Sequence, residues 1–493
     1  MSGKVRIHQV KYHQYLLAGL MVLMSSIAQA WDFPDVLEDP LLTRPPVLVT
    51  GSTLPGDNEV ITCPADTDLS QPLALGNAVD LALCQNPQVQ AAWANIKLEA
   101  GAVGEARGAY LPTVSLSASQ LHNNTQYPKN SSASTTSDGQ TYYASLNWRL
   151  FDFGGRAANR ESANQLLAAA LASHDAALQK IMSTTIGAYF DGVTARASWE
   201  ARVKQVELAE TTLMSTQRRE NKGVSQLSDT LQARTALAKA QLEKGRADGD
   251  YRKSLSVLVY ALGLPASTKL LLPDEAEEYS TEQAQDLDQW LQDAQTHHPA
   301  IVAARAQWES AKAKVKVARA EGLPTVDFSA TYYQNGYPNQ GLLSTQTQIS
   351  NLGVTLNIPL FEGFVRTYKI RGAEAQAEQS EAQLQDTQHQ ILMEVVKAHA
   401  DAVSSLDNLR ASRDLLDAAQ SAVTSSQLRY SKGAADILEL LSTQAALAEA
   451  QHERIRDVSD WRSARLRLMA SAGVLGRHLI NETSSTLNVS KMK

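Results

Sequence analysis

Two short motifs at matched positions place charged side chains beside a helix break. One reads Arg219-Glu220-Asn221-Lys222-Gly223-Val224-Ser225-Gln226-Leu227-Ser228-Asp229. The other reads Arg429-Tyr430-Ser431-Lys432-Gly433-Ala434-Ala435-Asp436-Ile437-Leu438-Glu439, at a constant offset (429 − 219 = 210). Glycine after lysine is a helix-ending signal. A returning helix then starts at Ser225 or Ala435, with acids near its N-terminus, where the macrodipole favours them. The chemistry available here is electrostatic. Carboxylates concentrate cations, and a glycine at a loop tip lets a partner backbone come close. On the residues alone, Glu439 is an acid that contributes about 0.3–1 kcal/mol to its helix start.

Catalytic patterns are missing. The chain has no phosphate-cradling glycine-lysine loop, no His-Glu-x-x-His, no Gly-x-Ser-x-Gly and no dinucleotide glycine pattern. His297 and His298 are adjacent, so on a helix they point in different directions and share no metal. The two cysteines, Cys63 and Cys84, lack supporting histidines for a metal site. In an oxidising compartment such a pair bridges, or it remains as two thiols. A bridge would tie a proline-rich leader (Pro45, Pro46, Pro55, Pro64) to the first helix. The reading is of a non-enzyme without a cofactor.

A tandem repeat positions the motifs. Pro87–Val114 aligns with Pro299–Val326 (299 − 87 = 212), and Arg156–Gly263 aligns with Arg366–Gly473 (366 − 156 = 210). The two-residue difference lies between Val114 and Leu150, where a loop tolerates it. Each copy reads helix, strand, loop, strand, very long helix, break, long helix, a shape suited to a conduit. The expected divisions are a secretory signal over 1–30, a periplasmic leader over 31–74, repeat one over 75–264, a linker over 265–286, repeat two over 287–476 and a tail over 477–493. The signal has a positive start (Lys4, Arg6, Lys11), an apolar run from Tyr15 to Ile27, and Ala28-Gln29-Ala30 as its small-x-small cleavage site. The formal charge of −7 includes no basic block, which excludes nucleic acid as a partner.

Helical periodicity runs from near Leu75 to about Tyr110 and ends at Pro112, as it does at Pro324 in the second copy. Strict alternation follows. Val114, Leu116 and Ala118 alternate with serines, and across a polar loop (Asn123 to Gln140) Tyr142, Ala144, Leu146, Trp148 and Leu150 alternate with polar residues. In the second copy Val326, Phe328, Ala330 and Tyr332 alternate, then, after a loop from Gln334 to Gln348, Leu352, Val354, Leu356, Ile358 and Leu360. Four strands of about nine to eleven residues would span a bilayer when tilted, apolar face to lipid. Four strands close no barrel, and lipid tolerates no open edge, so the chain must oligomerise to complete its wall. From Arg156 to Lys222 a continuous helix would reach roughly 100 Å at about 1.5 Å per residue. Alanine-rich stretches (Ala168-Ala169-Ala170, Ala445-Ala446) favour close coiled-coil packing.

With these features the chain resembles the TolC-type outer-membrane efflux and secretion family. The resemblance covers nearly all of residues 75–476. It rests on Asn86-Pro87 with Leu111-Pro112-Thr113, Leu323-Pro324-Thr325, Leu360-Phe361-Glu362-Gly363 and the two Lys-Gly tips. It implies an α+β membrane protein: a long coiled-coil α-helical barrel continuing a transmembrane β-barrel, shared by a homotrimer in the outer membrane. The helical tips would form a closable periplasmic entrance lined by acids. Glu439 falls on one acidic position, but the family's second acid falls on Ser442, and Asp436, one turn before Glu439, would substitute in part. Tyr430 matches a tyrosine that locks the closed entrance, with its partner position at Asp229; an arginine expected near position 435 is Ala435 here. Lys222, Gly223, Lys432 and Gly433 are the expected docking points for a periplasmic adaptor. Energy would come from an inner-membrane ABC transporter or a proton-driven pump. The leader cysteine pair resembles the toxin-export, type I secretion branch. Small-molecule efflux, and a non-conducting periplasmic scaffold, are the alternatives.

Overall fold

A computed structural model of the chain describes Leu69 and residues 71–126, 135–273, 286–336 and 347–476. The expected signal, the leader to residue 68 with Cys63, and the tail lie outside these residues. The described elements are α1 (Leu75–Gln85), α2 (Pro87–Gly108), β1 (Thr113–Thr125), β2 (Thr135–Phe151), α3 (Gly155–Asn221) and α4 (Leu227–Ala261). The second copy gives α5 (Leu287–His297), α6 (Pro299–Ala320), β3 (Thr325–Gln334), β4 (Gln348–Asn357), α7 (Val365–Ser431) and α8 (Ile437–Ser471). Matched helices have identical lengths: 11, 22, 67 and 35 residues in each copy.

Several boundaries differ from the sequence expectation. The first periodic stretch is two helices, because Pro87 drives Asn86 into extended geometry (ψ 124°), where its side chain accepts from Gln88 N at 2.9 Å. The returning helices start at Leu227 and Ile437, two residues after the expected starts at Ser225 and Ala435, with Gln226 and Asp436 as their N-caps. The strands of the first copy are longer than expected, 13 and 17 residues. Here the ladder continues through Thr, Ser and Asn to Thr125↔Thr135, into the stretch read as loop. Strand β4 stops at Asn357 instead of Leu360, two residues before Pro359, which has no N–H for a ladder.

The strands form one antiparallel sheet in the order β1-β2-β3-β4. Its register stacks the alternating residues: Leu116↔Ala144, Ala144↔Tyr332 and Ala330↔Leu352 share one face. That face is bare. Leu116 and Leu352 are each 79% exposed, an arrangement that water penalises and lipid does not. The other face is hydroxyl-rich, with Ser115–Ser145 at 2.7 Å, Ser119–Thr141 at 2.6 Å and an Arg149–Asp327 ion pair at 2.9 Å. Strand β2 meets β3, so the two repeats join edge to edge, while β1 and β4 each keep an unpaired edge.

An arginine fixes each long helix to its strand. The Arg156 guanidinium donates to Arg149 O (2.7 Å), Leu150 O (3.2 Å) and Asp152 Oδ2 (3.2 Å), and lies 4.7 Å from the Tyr110 ring centre. Arg366 donates to Pro359 O and Glu362 Oε2, both at 3.3 Å. Further along, α3 and α4, and α7 and α8, pair as helical hairpins. Their seams are narrow, for example Val206 and Ala209 against Ala240. The thick core lies midway. There α1, the middle of α3, the end of α4, Leu270–Leu272 and the end of α8 converge around Leu178, Met182, Ile186, Leu258 and Leu262.

At this midpoint the two copies repeat one joint. Gly263 (φ +72°) and Gly473 (φ +75°) end α4 and α8 in left-handed geometry, each closed by a pair of back-bonds such as Leu264 N→Val259 O at 3.1 Å. A Cβ at Gly263 would lie 2.9 Å from Gln85 O, and one at Gly473 would lie 2.9 Å from Pro299 Cδ. His298 replaces Asn86 in the second copy and accepts from Ala300 N at 3.2 Å. Burial pushes its pKa down to about 4.

Two outcomes follow. Gly263→Ala should lower the melting temperature, followed by far-UV circular dichroism, more than Gly223→Ala does. Both have positive φ, but a Cβ at Gly223 meets nothing within 4 Å, so the difference is the overpacking term of about 1–3 kcal/mol. Equal shifts would show that the close approach costs nothing. His298 stays neutral when folded, whereas the unfolded chain takes up a proton below about pH 6.5. Its contribution is therefore complete above pH 6.5 and is lost as pH falls towards 4, by up to roughly 3 kcal/mol. His298→Asn should flatten the acid side of the stability curve between those values; an unchanged slope would assign it to other groups.

Candidate functional site: the hairpin tips

The tips are built by helix ends. Helix α3 stops as Gly223 (φ +69°) bonds to Glu220 O at 2.8 Å and Val224 N to Arg219 O at 3.0 Å. Helix α7 stops in the same way, through Gly433 N→Tyr430 O at 3.0 Å and Ala434 N→Arg429 O at 2.8 Å. Lys222, Gly223, Lys432 and Gly433 are all exposed, and neither lysine makes an ion pair among the described residues. Val224, Leu227 and Leu438 stand exposed beside them.

The acids are more committed than the sequence suggested. Asp436 is an N-cap: its Oδ1 accepts from Glu439 N at 2.8 Å. Glu439 is held by Arg429 of the same chain at 2.7 Å, with both side chains partly exposed to water. Asp229 closes a capping box with Gln226 and accepts from Ser225 Oγ at 2.6 Å. A free carboxylate ring is therefore not what one protomer presents. Each acid serves its helix start or a neighbouring cation.

Tyr430 is the centre of the tip. It is 7% exposed, packed with Ile437 and Leu440. The Arg219 guanidinium stacks over its ring at 4.7 Å and donates to its backbone carbonyl at 3.0 Å. This is a cation–π contact from the first hairpin to the second, worth about 0.5–2 kcal/mol. Burial pushes the Tyr430 hydroxyl pKa up, Arg219 opposes this, and Asp229 adds to it. The Tyr430 hydroxyl makes no hydrogen bond among the described residues. The sequence reading did not single out Arg219 and Arg429, which the structure places against Tyr430 and Glu439. Their signal was their matched place three residues before each tip lysine. Arg219, rather than a residue at position 435, is the arginine that contacts Tyr430.

Cys84 in α1 is disulfide-bonded, and the chain's other cysteine, Cys63, lies outside the described residues. Among the described residues no group of three or more His, Cys, Asp or Glu could hold a metal. No described helix is long and apolar enough to cross a membrane.

Comparison with known proteins agrees with this architecture. The sequence profile of the family described as "Outer membrane efflux protein" matches residues 78–264 and 290–474, one match per repeat. Protein CyaE of Bordetella pertussis is 34% identical over 422 residues, 85% of this chain and 88% of that protein. The alkaline protease secretion protein AprF of Pseudomonas aeruginosa is 26% identical over 300 residues, 60% of this chain and 62% of that one. The fold is similar to the crystal structure of the outer membrane protein VceC from Vibrio cholerae, with TM-score 0.70 and 22% identity over 81% of this chain and 96% of that one. The expected family resemblance is borne out over both repeats: the chain belongs to the outer membrane efflux protein family and is an outer-membrane channel-tunnel extending into the periplasm.

Proposed function

We propose that three copies of the chain form one passive conduit for type I protein secretion. A periplasmic adaptor docks at Lys222, Gly223, Lys432 and Gly433, and an inner-membrane ABC transporter supplies the energy. The observation that carries the oligomer is the sheet: a bare apolar face with two open edges, which lipid does not tolerate. Three sheets of four strands (3 × 4 = 12) fall within the even strand numbers of outer-membrane barrels. The similarity to AprF, an alkaline protease secretion protein, supports polypeptide as the cargo. So does the disulfide at Cys84, which on this reading joins Cys63 and fastens the leader to α1. The family's description as efflux protein favours the second reading, drug efflux with a proton-driven pump. A non-conducting scaffold has no use for a lipid-facing sheet.

In this reading Arg219, Tyr430 and Asp229 hold the periplasmic entrance closed, and Glu439 with Asp436 gives it cation preference. In planar bilayers the purified trimer should show a small, cation-preferring conductance. Arg219→Ala and Tyr430→Ala should each raise it severalfold, and Glu439→Gln should reduce cation preference. A trimer of verified mass whose conductance ignores all three changes would sink the gate. One that never conducts would favour the scaffold. Non-reducing peptide mapping should recover the Cys63 and Cys84 peptides as one linked species; two free thiols there would refute the leader clasp.

A further inference from the structure

The two repeats meet inside one chain along a face that can be compared with a face left uncovered. Strand β2 pairs with β3. This sets α3, which follows β2, against α6, which precedes β3. At the centre of that contact Ser162 Oγ and Ser310 Oγ are 2.9 Å apart, both buried. One turn away along the antiparallel pair, Ala158 and Ala313 are buried too. Small residues line both helices here.

The repeat offsets map this contact onto α2 and α7. Ser310 corresponds to Leu98 (310 − 212 = 98) and Ala313 to Gly101 (313 − 212 = 101). Ser162 corresponds to Gly372 (162 + 210 = 372) and Ala158 to Tyr368 (158 + 210 = 368). The sizes are redistributed. Leu98 and Tyr368 each stand 68% exposed. A Cβ at Gly372 or Gly101 would meet nothing within 4 Å. Serine against serine has become leucine against glycine, and alanine against alanine has become tyrosine against glycine. Each protrusion therefore has its hollow on the opposite edge of the same chain. Helix α7 follows the open strand β4, and α2 precedes the open strand β1. Pairing β4 with β1 of a second copy would bring α7 beside that copy's α2, as β2–β3 pairing brings α3 beside α6.

We infer that the α2 face of one protomer docks on the α7 face of the next, with Leu98 seated on Gly372 and Tyr368 on Gly101 of the neighbouring copy. The occupant of both faces is a second copy of this chain. The contact is head-to-tail, the class that gives a ring when the rotation between copies closes, as the shared barrel requires, and interlocking sizes fix its register as they do in a packed core. The inference rests on the trimer reading above and names the residues that set the register of its interface.

The test is a paired-cysteine cross-link in detergent-solubilised full-length protein. Leu98→Cys with Gly372→Cys should, on mild oxidation, convert monomer on a denaturing, non-reducing gel to a three-chain product. Lys97→Cys with Gly372→Cys, one residue out of register, should do so severalfold less. Gly372→Leu should weaken the assembly, and adding Leu98→Ala should restore it. If native mass shows a wild-type trimer, yet the two cysteine pairs cross-link equally and Gly372→Leu assembles normally, the docking register is wrong. If native mass shows that the wild type is no trimer, the trimer reading itself fails, so native mass separates the two failures.

Discussion

Lipid does not hydrogen-bond to a strand edge. Each unpaired N–H and C=O in the hydrocarbon costs several kcal/mol, and this chain exposes such groups along β1 and β4. Most of the architecture follows from that penalty. The sheet of one chain is too narrow to close, so closure needs copies. Copies placed edge to edge around an axis put their helices side by side below the sheet. The wall of a periplasmic conduit is then an extension of the wall of the barrel, with Arg156 and Arg366 as the couplings between strand and helix.

Below the membrane the stabilising interactions are distributed unevenly. The hairpin seams are thin and alanine-rich, and such seams contribute little apolar burial per turn. The midpoint cluster is far larger. It also gathers the non-helical segments: Leu73 N bonds Leu271 O at 2.8 Å, Tyr189 Oη donates to Leu73 O at 3.0 Å, and Gln179 donates to Leu475 O at 3.0 Å. A firm waist with slender arms leaves the tips as the part with least burial to lose. Contacts worth about one or two kcal/mol, such as Arg219 over Tyr430, then suffice to bias their position.

Much of this was legible in the sequence, for stated reasons. Period-two alternation around Leu116, Leu146 and Leu352 survives because one face meets lipid along the whole strand. Pro112 and Pro324 mark the helix-to-strand switch by local sterics alone. The tip glycines were legible for the same local reason. The extra length of β1 and β2 was not, since the added residues are polar on both faces and read as loop. Nor was the split at Asn86 read as a break, because periodicity continues across it. The Arg219–Tyr430 contact joins residues 211 apart in the chain, and no local pattern encodes a pairing at that distance. The commitment of Glu439 to Arg429 spans only ten residues, but it depends on how the tip turn folds one helix end onto the next, which neither helical nor strand periodicity encodes.

The equal helix lengths of the two copies have a consequence of their own. Hairpins of 67 and 35 residues occur twice, so both tips end at one level. The chain is in effect a ruler for the gap it crosses. Adding one heptad to a helix would shift its end by about 10 Å. Adding it to one arm alone would misalign the hairpin or leave the two tips at different heights. A change of reach therefore has to be made in four helices together, which makes periplasmic depth one of the hardest properties of this molecule to alter by single steps.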